Sequence, residues 1–232
     1  MGIVNQLYRF HVPFDAEKFM LSHKECPQDL QLLEKLWQLV QPAAFWRDAA
    51  IAENDGDGLL LDSDGLNIKS CYVAKGLSKC NRATVMALTI GSALPSFAAE
   101  AAAEGRLYEA AAADYLGSHA VELFADAFCA YLQQQALPKG LYATLRYSPG
   151  YGDWALEAQP EIFAFLNNCR NKIQLSDNYL MEPVKSITAV VGWSSTWQQP
   201  EYPQGEHNAF CNGGHNCVAC VTWACRKVRN QG

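Results

Sequence analysis

The chain has 232 residues, half of them hydrophobic and 18% charged, with a net charge of −6. This composition excludes a disordered or fibrous chain and supplies a core for one substantial domain or two small ones. The acidic balance excludes a general nucleic-acid binder, which needs clustered Lys and Arg against phosphates.

The opening residues, MGIVNQLYRFHVPFDAEKF, hold no basic region followed by an apolar run, so no secretory leader is expected. No window approaches the ~18 uninterrupted apolar residues of a membrane span. The expectation is a soluble cytoplasmic protein with neither membrane nor nucleic acid as partner. Nine cysteines fall into two groups: Cys26, Cys71, Cys80, Cys129 and Cys169 are scattered, and four crowd the C-terminal end. In a reducing compartment the scattered ones read as small buried hydrophobes, and the terminal cluster reads as a metal site.

In chain order, CPQDLQLLEKLWQLVQP has apolar residues at helical spacing and predicts a helix over roughly 28–40. AAFWRDAAIAENDGDGLLLDSDGLNI predicts strand, turn, strand, with Gly56 and Gly58 in the turn. The Asp55-x-Asp57 pair begins like a calcium loop, but Leu59 and Leu60 occupy the next ligand and glycine positions, so a hairpin turn is expected. RATVMALTIG reads as a buried strand closed by Gly91, and the long Ala-rich region after it as two helices broken at Gly105. LEAQPEIFAFLNNC predicts another helix, and KIQLSDNYLMEPVKSITAVVGW two or three short strands separated by Asp177-Asn178 and Pro183. The class is α+β, a sheet assembled from separated strands with long helices against it. From Trp197 the chain turns rich in Pro, Gly, Gln and Asn, which places a boundary near 195: a domain at 1–195 and a Cys-rich tail at 196–232.

Between two helical-looking segments lies LRYSPGYGDW, residues 145–154. Pro149 fixes one backbone angle, while Gly150 and Gly152 permit positive φ and close approach of a ligand. Arg146 offers a planar fork suited to a carboxylate, and Tyr151 and Trp154 offer flat faces for a ring. The residues alone leave two readings open: a binding loop, or a turn with core aromatics and an arginine in a surface salt bridge.

The order Arg146-x-x-Pro149-Gly150-Tyr151, then a helix, then LSDNYLMEPVKSITAVVG resembles the activation (reactivation) domain of cobalamin-dependent methionine synthase. Leu175, Met181, Pro183 and Ser186 stand where that family's Leu-Thr-Glu-Ser-x-x-Met-x-Pro-x-x-Ser segment has the same residues. Upstream, TIG at 89–91 and AVELFADAF at 120–128 are similar to its strand and its Ala-Glu-x-Phe-Ala-Glu helix, so the likeness spans roughly residues 30–192. The resemblance implies a curved, mostly antiparallel sheet with long helices packed on it, and a site for S-adenosylmethionine. It implies that Arg146 forks the methionine carboxylate, that backbone around Ser148, Pro149 and Gly150 contacts the ligand, and that Tyr151 lines the site. Glu122, matching the first Glu of the helix motif, is either a polar contact to the ribose or amino group or a solvated helix-face residue.

In that family one electron and the methyl group of S-adenosylmethionine restore methylcobalamin from the inactive cob(II)alamin state. The chain lacks the family's cobalt-ligating Asp-x-His-x-x-Gly motif, so cobalamin is expected only on a partner, a corrinoid-binding protein or methyltransferase. A flavodoxin or ferredoxin is the implied electron donor. Two family segments, Asp-Trp-x-Pro-Phe-Phe near the start and the strand after Ser-Val-Ser-Gly, have no counterpart here.

The tail spaces Cys211, Cys217, Cys220 and Cys225 as C-x5-C-x2-C-x4-C, a set of thiolates suited to an iron–sulfur cluster or to zinc. Asp114, Ser118 and His119 lie too close together on one helix to act as nucleophile, base and orienter, and read as surface and packing residues. Three functions therefore stand open. The chain is an S-adenosylmethionine-binding reactivation factor acting in trans, a non-catalytic adaptor for a corrinoid protein, or an iron–sulfur electron donor to one.

Overall fold

A computed structural model of the chain describes residues 3–196 apart from 25, 63, 64 and 168. The expected metal ligands Cys211, Cys217, Cys220 and Cys225 lie outside the described residues. The elements in order are β1 (Asn5–Tyr8), α1 (Ala16–Ser22), α2 (Leu30–Trp37), β2 (Ala43–Asn54), β3 (Leu59–Leu61), β4 (Leu66–Ile68), α3 (Cys71–Gly76) and β5 (Arg82–Thr89). There follow α4 (Ala93–Ala103), α5 (Leu107–Ala136), β6 (Tyr142–Tyr147), α6 (Gln159–Leu166), β7 (Gln174–Leu175), β8 (Met181–Glu182) and β9 (Ser186–Ser194).

The main sheet runs β4-β3-β2-β5-β9-β6, with β1 paired to β2, and all its pairings are antiparallel. Strands β5 and β9 lie at its centre and are apolar on both faces, the pattern of strands covered on both sides. On one face Met86, Leu88, Ala189, Val191 and Trp193 meet α1, α2 and α5 through Phe19, Leu33, Leu36, Phe124 and Phe128. On the other, Val85, Ala87 and Val190 meet α3 and α6 through Val73, Ile162, Phe163 and Leu166. The α+β class and the antiparallel sheet with long helices are as the sequence predicts.

Helix α5, 30 residues and about 45 Å long, forms because Leu116, Ala120, Phe124, Phe128 and Leu132 recur every four residues and bury one stripe. The break before it falls at Gly105, whose φ of +76° ends α4 in a left-handed turn while the Arg106 N–H reaches back to Ala101. Shorter α1 and α2 are each started by an aspartate, Asp15 accepting from the Lys18 N–H and Asp29 from the Leu32 N–H. The helix expected over roughly 28–40 is thus shorter, and β1, α1 and α3 were not anticipated. The Asp55-x-Asp57 stretch is a turn whose Asp55 accepts from the Asp57 and Gly58 N–H groups, in keeping with the hairpin reading. Among the described residues no cluster of three or more His, Cys, Asp or Glu is arranged to hold a metal, and no helix is long and apolar enough to cross a membrane.

Candidate functional site

The residues expected in a loop begin on a strand. Arg146 belongs to β6, at the edge of the sheet, and the loop starts only at Ser148. This corrects the expectation that Arg146 sits in a connection between helices. Tyr142, Thr144 and Tyr147 are strand formers, and the chain gains its ladder by pairing with β9.

A bulge decides where Arg146 points. Ala143 lies opposite Trp193 and Arg146 opposite Val191, so three steps along β6 match two along β9. Trp193 and Val191 both face α5, and the extra residue turns Ala143 and Arg146 to that same face. Within the bulge the Thr144 hydroxyl takes over part of the ladder, accepting from the Gly192 N–H at 2.9 Å. Gln133 of α5 clamps the start of β6, donating to the Leu141 carbonyl at 3.0 Å and accepting from the Ala143 N–H at 2.7 Å.

Arg146 thereby reaches α5. Its Nη2 donates to Glu122 Oε2 at 2.6 Å and its Nη1 to Asp126 Oδ1 at 3.3 Å. The Arg146 side chain is only 16% exposed, whereas Glu122 and Asp126 are 44% and 54% exposed. Cys129, a further turn along α5, faces the same guanidinium. Burial works against the charge on Arg146, but Glu122, Cys129 and Asp126 together hold it more firmly protonated than usual. Burial also pushes the Glu122 carboxyl up, Arg146 pulls it back, and Asp126 adds a further push upward. The Cys129 thiol is pushed up chiefly by burial, against the pull of Arg146.

The loop after β6 is fastened from the opposite face. Pro149 and Trp154 are buried, Ser148, Gly150 and Tyr151 half-buried. The Gly150 N–H donates to the Trp154 carbonyl at 2.7 Å, and Gly150 and Gly152 take the positive φ values of +87° and +63° that this tight path needs. Asp153 accepts hydrogen bonds from the Ser70 hydroxyl and from the Cys71 N–H, so it caps α3 from outside the helix. At Gly152 a Cβ would stand 2.9 Å from the Tyr72 ring, so the loop lies flat on α3.

The structure brings Glu122 and Arg146 into direct contact and holds Ser148, Pro149, Gly150 and Tyr151 in the chain immediately beyond. The arginine makes the salt bridge of one reading, and its partner Glu122 is the other residue singled out for ligand contact. Asp126 and Cys129 were missed; their signal was the spacing of four and seven residues from Glu122, which sets all three on one face of α5. Asp114 and Ser118 take Lys185 at 2.6 and 2.8 Å, and His119 packs against Phe19 and His23, so these are the surface and packing residues expected. Among the scattered cysteines, Cys26 and Cys169 are buried, and Cys71, Cys80 and Cys129 half-buried.

No protein-family model matches the chain, and no curated protein does. Among solved structures it is similar to one described as the crystal structure of the MetH reactivation domain bound to AdoHcy. The match has a TM-score of 0.57 and covers 90% of this chain and 82% of that one. The fold is that of the MetH reactivation domain. At 12% identity the likeness is one of fold, and the expectation of an α+β reactivation-domain architecture holds. Function resides in the site's own residues and does not follow from the fold. One guanidinium between two carboxylates, beside a glycine-bearing loop with an aromatic, suits a ligand that carries a carboxylate together with positive charge.

Proposed function

We propose that the chain binds S-adenosylmethionine at Arg146, Glu122 and the Ser148–Tyr151 loop, and presents its methyl group to the reduced corrinoid of a separate protein. The observation that carries this is the 2.6 Å contact between Glu122 and Arg146, 24 positions apart, made on the fold of a domain crystallised with AdoHcy. In this reading Arg146 turns its fork to the methionine carboxylate, and Glu122, released from it, accepts from the ammonium or a ribose hydroxyl. Backbone at Ser148, Pro149 and Gly150 closes against the ligand, and Tyr151 covers its ring.

When bound, S-adenosylmethionine supplies an electrophilic methyl group to the partner's reduced cobalt and leaves as S-adenosylhomocysteine. The residues of this chain bind and orient; none needs to act as a nucleophile. Holding the sulfonium in line with its acceptor removes the entropic cost of a bimolecular encounter. The electron comes from a flavodoxin- or ferredoxin-type donor, and the corrinoid stays on the partner, a methionine synthase or related methyltransferase.

The test follows label from methyl-labelled S-adenosylmethionine to a corrinoid methyltransferase held in the cob(II)alamin state, with a reduced flavodoxin present. The chain is expected to accelerate transfer, and an Arg146→Ala variant to lose that acceleration. Transfer no faster than in the chain's absence would count against the reading.

A further inference from the structure

Which residue of β6 faces α5 depends on a single step of register. If the pairing of Ala143 with Trp193 ran on without a bulge, Arg146 would stand opposite Val190 and Tyr147 opposite Ala189. Val190 belongs to the layer under α3 and α6, and Ala189 to the layer under α5. Regular pairing would therefore turn the guanidinium toward the apolar layer of Val73, Leu77 and Val190, and give Tyr147 the place facing α5.

Two side chains hold the irregular register. Thr144 and Leu145 together stand opposite Gly192, the two-against-one count of a bulge. The Thr144 hydroxyl uses both of its capacities there. It accepts from the buried Gly192 N–H at 2.9 Å and donates to the Leu145 carbonyl at 2.8 Å. Just before it, the Gln133 amide holds the Ala143 N–H at 2.7 Å and the Leu141 carbonyl at 3.0 Å. Gln133 follows Glu122 by 11 positions, about three turns, so α5 carries this clamp and the arginine's partner on one side.

We infer that Thr144 is a positioning residue for the proposed S-adenosylmethionine site, its hydroxyl holding the bulge that sends Arg146, rather than Tyr147, to α5 and Glu122. For the ligand the inference rests on that reading of the site; for the arginine it rests on the pairing of β6 with β9. Valine has the shape and strand preference of threonine but no oxygen for the Gly192 N–H, so Thr144→Val takes away the hydroxyl and little else. Serine keeps the oxygen.

The experiment makes two measurements on the full chain, on Thr144→Val and on Thr144→Ser. One is S-adenosylmethionine affinity by calorimetry. The other is the Arg146 Nε–H resonance in a nitrogen–proton NMR spectrum without ligand, identified by its loss in Arg146→Lys. Thr144→Val is expected to weaken binding at least about tenfold and to move the resonance, whereas Thr144→Ser should bind within about twofold of the wild type with the resonance in place. A Thr144→Val chain that binds as the wild type does, or that loses binding while the resonance stays, would overturn the inference. So would a Thr144→Ser chain as impaired as Thr144→Val. Should Thr144→Val not fold, Gln133→Met removes the clamp on the same bulge and is read in the same two ways. A wild type that binds no S-adenosylmethionine would overturn the site reading, and the resonance would then decide by itself whether Thr144 places the arginine.

Discussion

Gly76, the last residue of α3, lies directly against the Tyr147 ring, so that a Cβ built on it would stand 2.1 Å from the phenol oxygen and 2.3 Å from Cζ. Tyr147 is buried and neighbours Arg146 on β6. The contact therefore fixes one face of the strand whose other face presents the arginine to α5. Gly76→Ala forces the ring or the helix to move, at a cost of about 1–3 kcal/mol. The denaturant midpoint of this variant should fall accordingly, and an unchanged midpoint would mean that α3 and β6 are not packed this closely.

How much of this was legible in the sequence depends on where the signal resides. Helix α5 was readable because Leu116, Phe124 and Phe128 repeat a single stripe over many turns, and Gly105 marks its start. β5 was readable as an unbroken apolar run. β6 was not, because its strand character comes from pairing with β9, and the bulge between Ala143 and Arg146 breaks the period of two. The seven residues of α1 and six of α3 are too few to show a period, and only their caps, Asp15 and Ser70, mark them. Glu122 and Arg146 were paired only through the family resemblance. Nothing local tells a helix glutamate that its partner arrives from an edge strand 24 residues later.

The cap on α3 gives a second prediction. Burial disfavours the charge on Asp153, but hydrogen bonds from Ser70, Tyr72 and Cys71 outweigh it and hold its carboxyl below the usual range. The folded state therefore favours the ionised form, so this contribution is present above the ordinary carboxylate pKa of 3.8 and is lost as pH falls below it. Asp153→Asn should cost about 1 kcal/mol near neutral pH by thermal unfolding. It should also flatten part of the fall in stability below pH ~4. A variant as stable as the wild type at neutral pH would contradict the cap.

A third prediction concerns mild acid. His119 is held between Phe19 and His23, its ring centroid 4.7 Å from each. Burial first, and the neighbouring His23 second, push its imidazole down to about 4 from the usual 6.5. The unfolded chain binds the proton more readily, so this group's contribution is complete above pH 6.5 and lost as pH falls toward about 4. Because His119 is partly solvated, the loss should be on the order of 1 kcal/mol. His119→Gln should remove this slope from urea midpoints taken between pH 7.5 and 5, values chosen around the ~6.5 reference. A slope identical to the wild type would place the acid sensitivity elsewhere.

If Arg146 anchors a ligand site, calorimetric titration of the full chain with S-adenosylmethionine will read it, alongside an Arg146→Ala variant whose fold is checked by circular dichroism. Saturable binding is expected of the wild type and a loss of at least about thirtyfold in the variant, the weight of a charge-assisted forked contact. Equal binding by both proteins, or none by the wild type, would contradict this anchoring role.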